Sequence, residues 1–327
     1  RIAHLQNDHG AKIPWLIMTS QLNDQTTREY FAHHNYFGLE RENIFFFSQG
    51  ELPAIDDEGK IFLSSPGRIV MVPDGNGGVF RALKSSGGLE WLKNRGCSTL
   101  YLYGVDNALV RVCDPPLIGF HMARQRPISC PVVRKAYPEE KVGLFVEYNG
   151  NSCVAEYTDI PDKMRYARDS KGNLIFDGSN LAIHVLNLEV VTEAAEHTLP
   201  YHAAFKRIDY CNSKAEIIQP TEPNGWKFEQ YMFDIFPRFG AMAALEVKRH
   251  DHFAPIKNAW GEDTPESATK LMLELHTRWL KQAGVISQES TQQYEVSPKQ
   301  SFSGGNLFNH SESELLSRGV IFPLKSK

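Results

Sequence analysis

Apolar residues in the first third of the chain fall in short continuous runs, separated by stretches with helical spacing. Ile13–Thr19 (IPWLIMT), Ile44–Phe47 (IFFF), Arg68–Val72 (RIVMV) and Thr99–Val105 (TLYLYGV) read as strands. Between the first two, Thr26–Asn35 has the spacing of a helix, with Thr26 and Glu29 placed as in a capping box. A second helical run starts at Val79, directly after Pro73–Gly78 (PDGNGG). A third, Leu89–Asn94, stops before Gly96, the residue type favoured just past a helix C-terminus. Continuous apolar strands alternating with helices predict an α/β fold whose mixed, mostly parallel sheet is covered on both faces.

From about Val132 the pattern changes. Val132–Lys135, Gly143–Tyr148 and Cys153–Tyr157 are short strands, and Asn149-Gly150 between the last two is a hairpin signal. A mixed or antiparallel extension of the sheet is expected there. Trp260–Pro265 (WGEDTP) is polar and loop-like, the amphipathic run Glu266–Ala283 follows as a helix, and the tail alternates short strands with turns. The expected organisation is a central domain over 1–259 and a small C-terminal domain over 260–327.

Composition acts mainly by exclusion. With 42% hydrophobic and 23% charged residues, a disordered or fibrous chain is ruled out. The 35 Lys+Arg nearly balance 39 Asp+Glu, for a net charge of −4, and no basic stripe occurs. Nucleic acid is therefore not an expected partner. No apolar run approaches the ~18 residues of a membrane span, so no membrane partner is expected either. Cys97, Cys113, Cys130, Cys153 and Cys211 form no CxxC pair, which points to a reducing, cytoplasmic location rather than a disulfide scaffold.

Several segments could carry chemistry, each with a plainer reading beside it. A strand, then PDGNGG, then a helix is the arrangement that lets a ligand approach the backbone closely. Asp-Gly and Asn-Gly are also ordinary turn dipeptides. Asp106 directly follows an apolar strand, where a carboxylate can hold Mg²⁺ against phosphate oxygens or simply cap the next turn. Lys257 in Pro255–Ala259 (PIKNA) suits a phosphate or a solvated surface. Tyr231 and Phe233, around Asp234, suit a sugar platform or a core. No HExxH, GxSxG, Walker loop or GxGxxG occurs, so zinc hydrolase, serine hydrolase and dinucleotide readings are weak.

Taken together and in order, IPWLIMTS, FFFSQG, MVPDGNGG, YGVDNALVRVCDP, KAYPEEKVG, VAEYTDI, EPNGWKFEQYMFDIF and FAPIKNA resemble the eukaryotic UDP-N-acetylglucosamine pyrophosphorylase family. The likeness runs from about Pro14 to Ala259, with a fainter echo in Glu295–Leu307. It implies a Rossmann-like, GT-A-like nucleotidyltransferase fold. It also implies a uridylyltransferase that joins UTP and N-acetylglucosamine 1-phosphate, with Mg²⁺, into UDP-N-acetylglucosamine and diphosphate. The same resemblance gives Gln49 and Gly75 as uracil-reading positions. It gives Asn76, Gly143, Glu156, Asn180, Tyr231 and Phe233 as sugar contacts, Asp106 as the metal ligand and Lys257 as a phosphate contact.

Three departures accompany the likeness. The family's N-terminal Gly-rich loop has no counterpart here, so poor turnover is expected of this chain alone. The aromatic pair is Tyr231-Met232-Phe233 where the family reads Phe-x-Phe. Gly304-Gly305-Asn306-Leu307 replaces Gly-Glu-Gly-Leu. Two competing readings are a glycosyltransferase that consumes a UDP-sugar and a chain that binds UDP-sugar without turning it over. Glucosamine and galactosamine forms of the sugar are not distinguished. A Gln amide can accept from uracil N3–H and donate to a flanking carbonyl, whereas cytosine presents the opposite polarity. Gln49→Leu is expected to cut the preference for UTP over CTP by about 5–150-fold, the cost of one unpaired buried polar group. Competition between the two nucleotides measures it, and an unchanged preference would place uracil recognition elsewhere.

Overall fold

The computed structural model describes residues 1–324. Its principal sheet has seven strands. At its centre is Ile128–Arg134, longer than the predicted Val132–Lys135. One edge of this strand is paired antiparallel by Gly178–Asn180 and by Ile183–Asn187. The other is paired in parallel by Ala243–Glu246. Ala182, between the two antiparallel segments, takes a left-handed backbone with φ of 53°. Thr99–Tyr103 lies outside Ile183–Asn187 and antiparallel to it. The hairpin Leu144–Tyr148/Asn151–Ala155 completes the far side. Its turn is the expected one: Asn149 and Gly150 both have positive φ, 51° and 78°, as a tight two-residue hairpin demands.

The sheet is thus mainly antiparallel, not mostly parallel as the apolar runs predict. The cause is physical. A strand buried on both faces reads as a continuous apolar run whichever way its neighbour points. Coverage on both faces is as expected. Helices Val79–Ser85, Gly88–Lys93 and Leu188–Ala194 cover one face, with Phe80, Leu83, Val191 and Phe236 at the centre of the largest apolar cluster. Helix Pro115–Arg124 covers the other through Leu117, against Val133, Ile183 and Val185.

Trp15–Thr19 and Ile44–Ser48 form a separate parallel pair. Between Trp15–Met18 and Thr99–Tyr103 lies a cavity of about 1290 Å³, lined by every residue from Ala11 to Met18 and from Arg95 to Asp106. Successive strand side chains point to opposite faces, so lining by consecutive residues means that the backbone edges face the cavity. The predicted helix over 26–35 spans Asp24–His33, without the capping box. Asp24 instead accepts a hydrogen bond from the Thr19 hydroxyl at 2.6 Å. The predicted strand over 68–72 is broken into Arg68–Ile69 and Met71–Pro73.

Helix Pro265–Gln282 does carry a capping box, formed by Thr264 and Ser267. Ala268 and Leu275 pack on Leu109 and Ala254 of the central region. Leu280 belongs to a second apolar cluster with Val296, Leu307, Leu315 and Ile321. The C-terminal segment therefore has its own small core, joined to the rest through this helix. Among the described residues, no helix is long and apolar enough to cross a membrane.

One buried side chain ties the strand end at Asp106 to the Pro255 segment. Asn107 Oδ1 accepts from the N–H groups of Leu109 and Ala254 at 3.1 and 2.9 Å, and its Nδ2 donates to His252 O at 2.7 Å. Asn107→Ala orphans these groups and is expected to cost about 2–3 kcal/mol. Denaturant unfolding reads that loss, and a variant as stable as the parent would show that water replaces the amide.

Candidate functional site

The glycine loop is built by its neighbours. Gly50, one residue past Gln49 at the end of Ile44–Ser48, accepts from Asp74 N–H at 3.0 Å, while Gln49 N–H donates to Thr19 O at 2.8 Å. The half-buried Gln49 therefore stands where two strand ends and the loop meet. On the loop's other side is Gln230. Its N–H donates to Asp74 O at 2.7 Å and its carbonyl accepts from Gly77 N–H at 2.8 Å. Its side-chain amide donates to Leu199 O at 2.7 Å. Gly75 has φ of 86°, and a Cβ there would lie 2.5 Å from Gln230 O. A Cβ on Gly77 would lie 2.8 Å from the Gln230 carbonyl carbon. The space beside Gly75 is thus filled by protein backbone, and glycine is required there with or without a ligand.

Asn76, exposed at the loop tip, accepts from Met232 N–H at 2.9 Å through Oδ1. This caps the start of the 3₁₀ turn Met232–Phe239 and leaves the Nδ2 donors available. Asp74 is buried beneath the loop. A Cβ on Gly50 or Gly78 would approach its carboxylate oxygens to 2.4 or 2.2 Å, and burial raises its pKa.

Gly143, Glu156 and Asn180 meet at the hairpin side of the sheet. Asn180 N–H donates to Gly143 O at 2.8 Å, and a Cβ on Gly143 would lie 3.4 Å from Glu156 Oε1. Glycine there leaves the Glu156 carboxylate uncovered. Desolvation raises the Glu156 pKa, nearby Asp159 and Asp234 push the same way, and His202 and Lys257 oppose them. Tyr231 is half-buried and stacks on Phe233, with ring centroids 5.2 Å apart and planes at 28°. Phe233 itself is buried in the main core, so Tyr231 is the accessible ring of the pair and Phe233 its backing.

Asp106 and Lys257 lie at a third corner. Ile256 N–H donates to Asp106 O at 2.7 Å, which brings the two segments side by side, and both residues are exposed. Lys257 N–H is held by Asp263 O at 2.7 Å. Among the described residues, no group of three or more His, Cys, Asp or Glu is placed to hold a metal. Asn76 and Asp106 both line the large cavity described above. Gln49, Gly75, Gly143, Glu156, Asn180, Tyr231, Phe233 and Lys257 do not. The arrangement offers a polar corner at Gln49, a partly buried carboxylate near an aromatic ring, and an exposed carboxylate and ammonium on adjacent segments.

Sequence reasoning missed Gln230, Asp74 and the His202–Asp234 pair. Gln230 acts mainly through its backbone and leaves no residue-type signal. Asp74 belongs to PDGNGG and could have been singled out as the one acid in a glycine loop.

Comparison with known proteins identifies the family of the chain. The family model described as UTP–glucose-1-phosphate uridylyltransferase matches residues 1–314. The chain is similar to UDP-N-acetylglucosamine diphosphorylase 2 of Arabidopsis thaliana, with 42% identity over 322 residues, covering 95% of this chain and 61% of that protein. It is 39% identical to the UDP-N-acetylglucosamine pyrophosphorylase of Saccharomyces cerevisiae over 316 residues, covering 94% of this chain and 66% of that one. The crystal structure of the uridine diphosphate N-acetylglucosamine pyrophosphorylase of Trypanosoma brucei, in complex with an inhibitor, superposes with a TM-score of 0.83. It is 31% identical and covers 98% of this chain and 67% of that one. The chain thus spans about six-tenths of the length of the Arabidopsis protein and 66% of the yeast one.

The raised Glu156 carboxyl carries a stability signature in the ligand-free protein. The folded state keeps its proton to higher pH than the unfolded chain, whose carboxyl titrates near the ordinary 4.5. As pH rises through that window the unfolded state deprotonates first, so folding stability falls. Glu156→Gln is expected to unfold at a higher temperature than the parent at about pH 7, with the gap closing near about pH 4. Equal melting midpoints for the two proteins at every pH would show that the carboxylate is fully solvated.

Proposed function

We propose, because the chain belongs to the UTP–glucose-1-phosphate uridylyltransferase family, that it is a uridylyltransferase joining UTP and N-acetylglucosamine 1-phosphate into UDP-N-acetylglucosamine and diphosphate. The observation that carries this reading is the junction at Gln230–Tyr231. There one stretch of backbone holds the glycine loop and presents the aromatic ring beside the Glu156 pocket. A fixed separation between the loop and the ring supports this reading, because a nucleotide-sugar carries its base and sugar at a limited distance. The N-acetylated sugar is favoured by the names of the Arabidopsis and yeast relatives. The fold is read as a Rossmann-like nucleotidyltransferase with a mixed sheet. The five free cysteines suit a cytoplasmic setting.

In this reading Gln49 addresses the uracil edge. Gly75 lets the loop run flat along Gln230, and Asn76 Nδ2 donates toward the sugar nucleotide. Glu156 accepts from sugar hydroxyl or amide N–H groups. Asn180 and the Gly143 backbone complete that pocket, and Tyr231, backed by Phe233, lies against the sugar. The reaction is in-line attack by an oxygen of the sugar phosphate on the α-phosphorus of UTP, with cleavage of the bond to the departing diphosphate. The nucleophile is already an anion, so no general base is needed. Catalysis consists of orienting the two phosphates and offsetting their charge, to which Lys257 contributes. Asp106, a single exposed carboxylate, fits a cation that keeps several waters and takes its remaining ligands from phosphates, as Mg²⁺ does. When bound there, Mg²⁺ would supply further neutralisation of the phosphate oxygens.

The test is to incubate the chain with Mg²⁺, UTP and N-acetylglucosamine 1-phosphate and measure diphosphate and nucleotide-sugar together. Their formation in equal amounts is expected, at the poor turnover of a chain without the Gly-rich loop. Release of UDP from UDP-N-acetylglucosamine to an acceptor, without diphosphate, would replace this reading with that of a glycosyltransferase. Asp106→Asn is expected to lower turnover roughly 10²–10³-fold while changing nucleotide-sugar affinity far less. Normal turnover in that variant would remove Asp106 from the phosphate site.

A further inference from the structure

Beside the Glu156 pocket three rings stand in series. Tyr231 is the middle one. On one side it stacks on Phe233, which is fixed in the main core. On the other it meets His202, with centroids 4.3 Å apart and planes at 31°. His202 is not free to turn, because its Nε2 lies 2.8 Å from Asp234 Oδ2. An ionised carboxylate only accepts, so the imidazole donates. Asp234 is itself placed by the turn that begins at Tyr231, since its N–H donates to Tyr231 O at 3.1 Å. His202 comes from a different element, the strand His202–Lys206, which pairs antiparallel with Gly225–Glu229 just upstream of Gln230.

We propose that His202 is a positioning residue of the sugar pocket, one that Asp234 anchors so that its imidazole clamps the Tyr231 ring beside Glu156. This inference rests on the reading of that pocket as the sugar end of a nucleotide-sugar site. Its physical content is preorganisation. A wall ring held between Phe233 and an anchored imidazole has little rotational freedom left to lose when a sugar settles against it. His202 lies on the strand His202–Lys206 and Asp234 on the turn after Tyr231, both outside the glycine loop.

The experiment separates sugar from nucleotide by titration calorimetry of the chain with UDP and with UDP-N-acetylglucosamine. The parent is expected to bind the nucleotide-sugar more tightly than UDP. His202→Ala is expected to lower affinity for UDP-N-acetylglucosamine about tenfold, the combined effect of a lost ring contact and a lost orientation, with UDP affinity unchanged within about twofold. His202→Phe keeps a ring against Tyr231 without the link to Asp234, and should recover part of the loss. This position is half-exposed, so the variant is expected to fold, and its melting midpoint checks that it does. A full sugar increment in both His202 variants would overturn the proposal, as would an equal loss for UDP and the nucleotide-sugar. A parent protein with no sugar increment, or with no affinity for either ligand, would instead refute the nucleotide-sugar reading on which the proposal stands.

Discussion

The backbone of Gln230 is gripped from both sides by one loop, and the rest of the site depends on that grip. Its N–H reaches the carbonyl of Asp74 and its carbonyl receives the N–H of Gly77. No side chain fits between the two strands of chain, because a Cβ at position 75 or 77 would collide with Gln230. The glycines of PDGNGG thus serve protein–protein contact within the chain before they serve any ligand. Through Gln230 the loop determines where Tyr231 begins, and through Asn76 it caps the turn that carries Phe233 and Asp234. The Gln49 corner and the Tyr231 ring are thereby held in one register.

Charge is distributed to match. The Glu156 pocket holds acids, Glu156, Asp159 and Asp234, offset by His202 and Lys257. Burial of Glu156 makes its ionised form costly. Asp106 and Lys257 are left exposed, where strongly hydrated phosphates can reach them without the desolvation penalty of a buried ion. Apolar packing backs the Tyr231 side of the site through Phe233. It lies on the two faces of the main sheet and in the small cluster under the C-terminal helix.

Asn107 and the large cavity show how the sheet edge shapes this region. Asn107 is fully committed to holding the strand end beside the Pro255 segment, so the adjacent Asp106 is presented by a rigid support. Next to it, Trp15–Met18 and Thr99–Tyr103 expose backbone edges to a common space that reaches Asn76 and Asp106. Edges of this kind carry unpaired N–H and C=O groups, which gives that space a polar rim within mostly apolar side chains.

Local chemistry was legible without coordinates. Strands at 15–19, 44–48 and 99–103, the helices after Val79 and Thr264, and the Asn149-Gly150 hairpin all follow from periodicity, β-rich runs and turn residues within a few positions of one another. The ordered motifs also carried the family. Strand direction was not legible, because burial on both faces erases the alternation that would separate parallel from antiparallel neighbours, and the sheet proved mainly antiparallel. The roles of particular residues divided the same way. Glu156 and Tyr231 stand out only through the family resemblance of their motifs. That Phe233 backs Tyr231, that Gln230 fills the space beside Gly75, and that His202 reaches Asp234 across 32 positions are products of packing. A chain of residue types specifies which groups are available. Only the folded backbone, by bringing distant segments within 3 Å of each other, decides which of them act together.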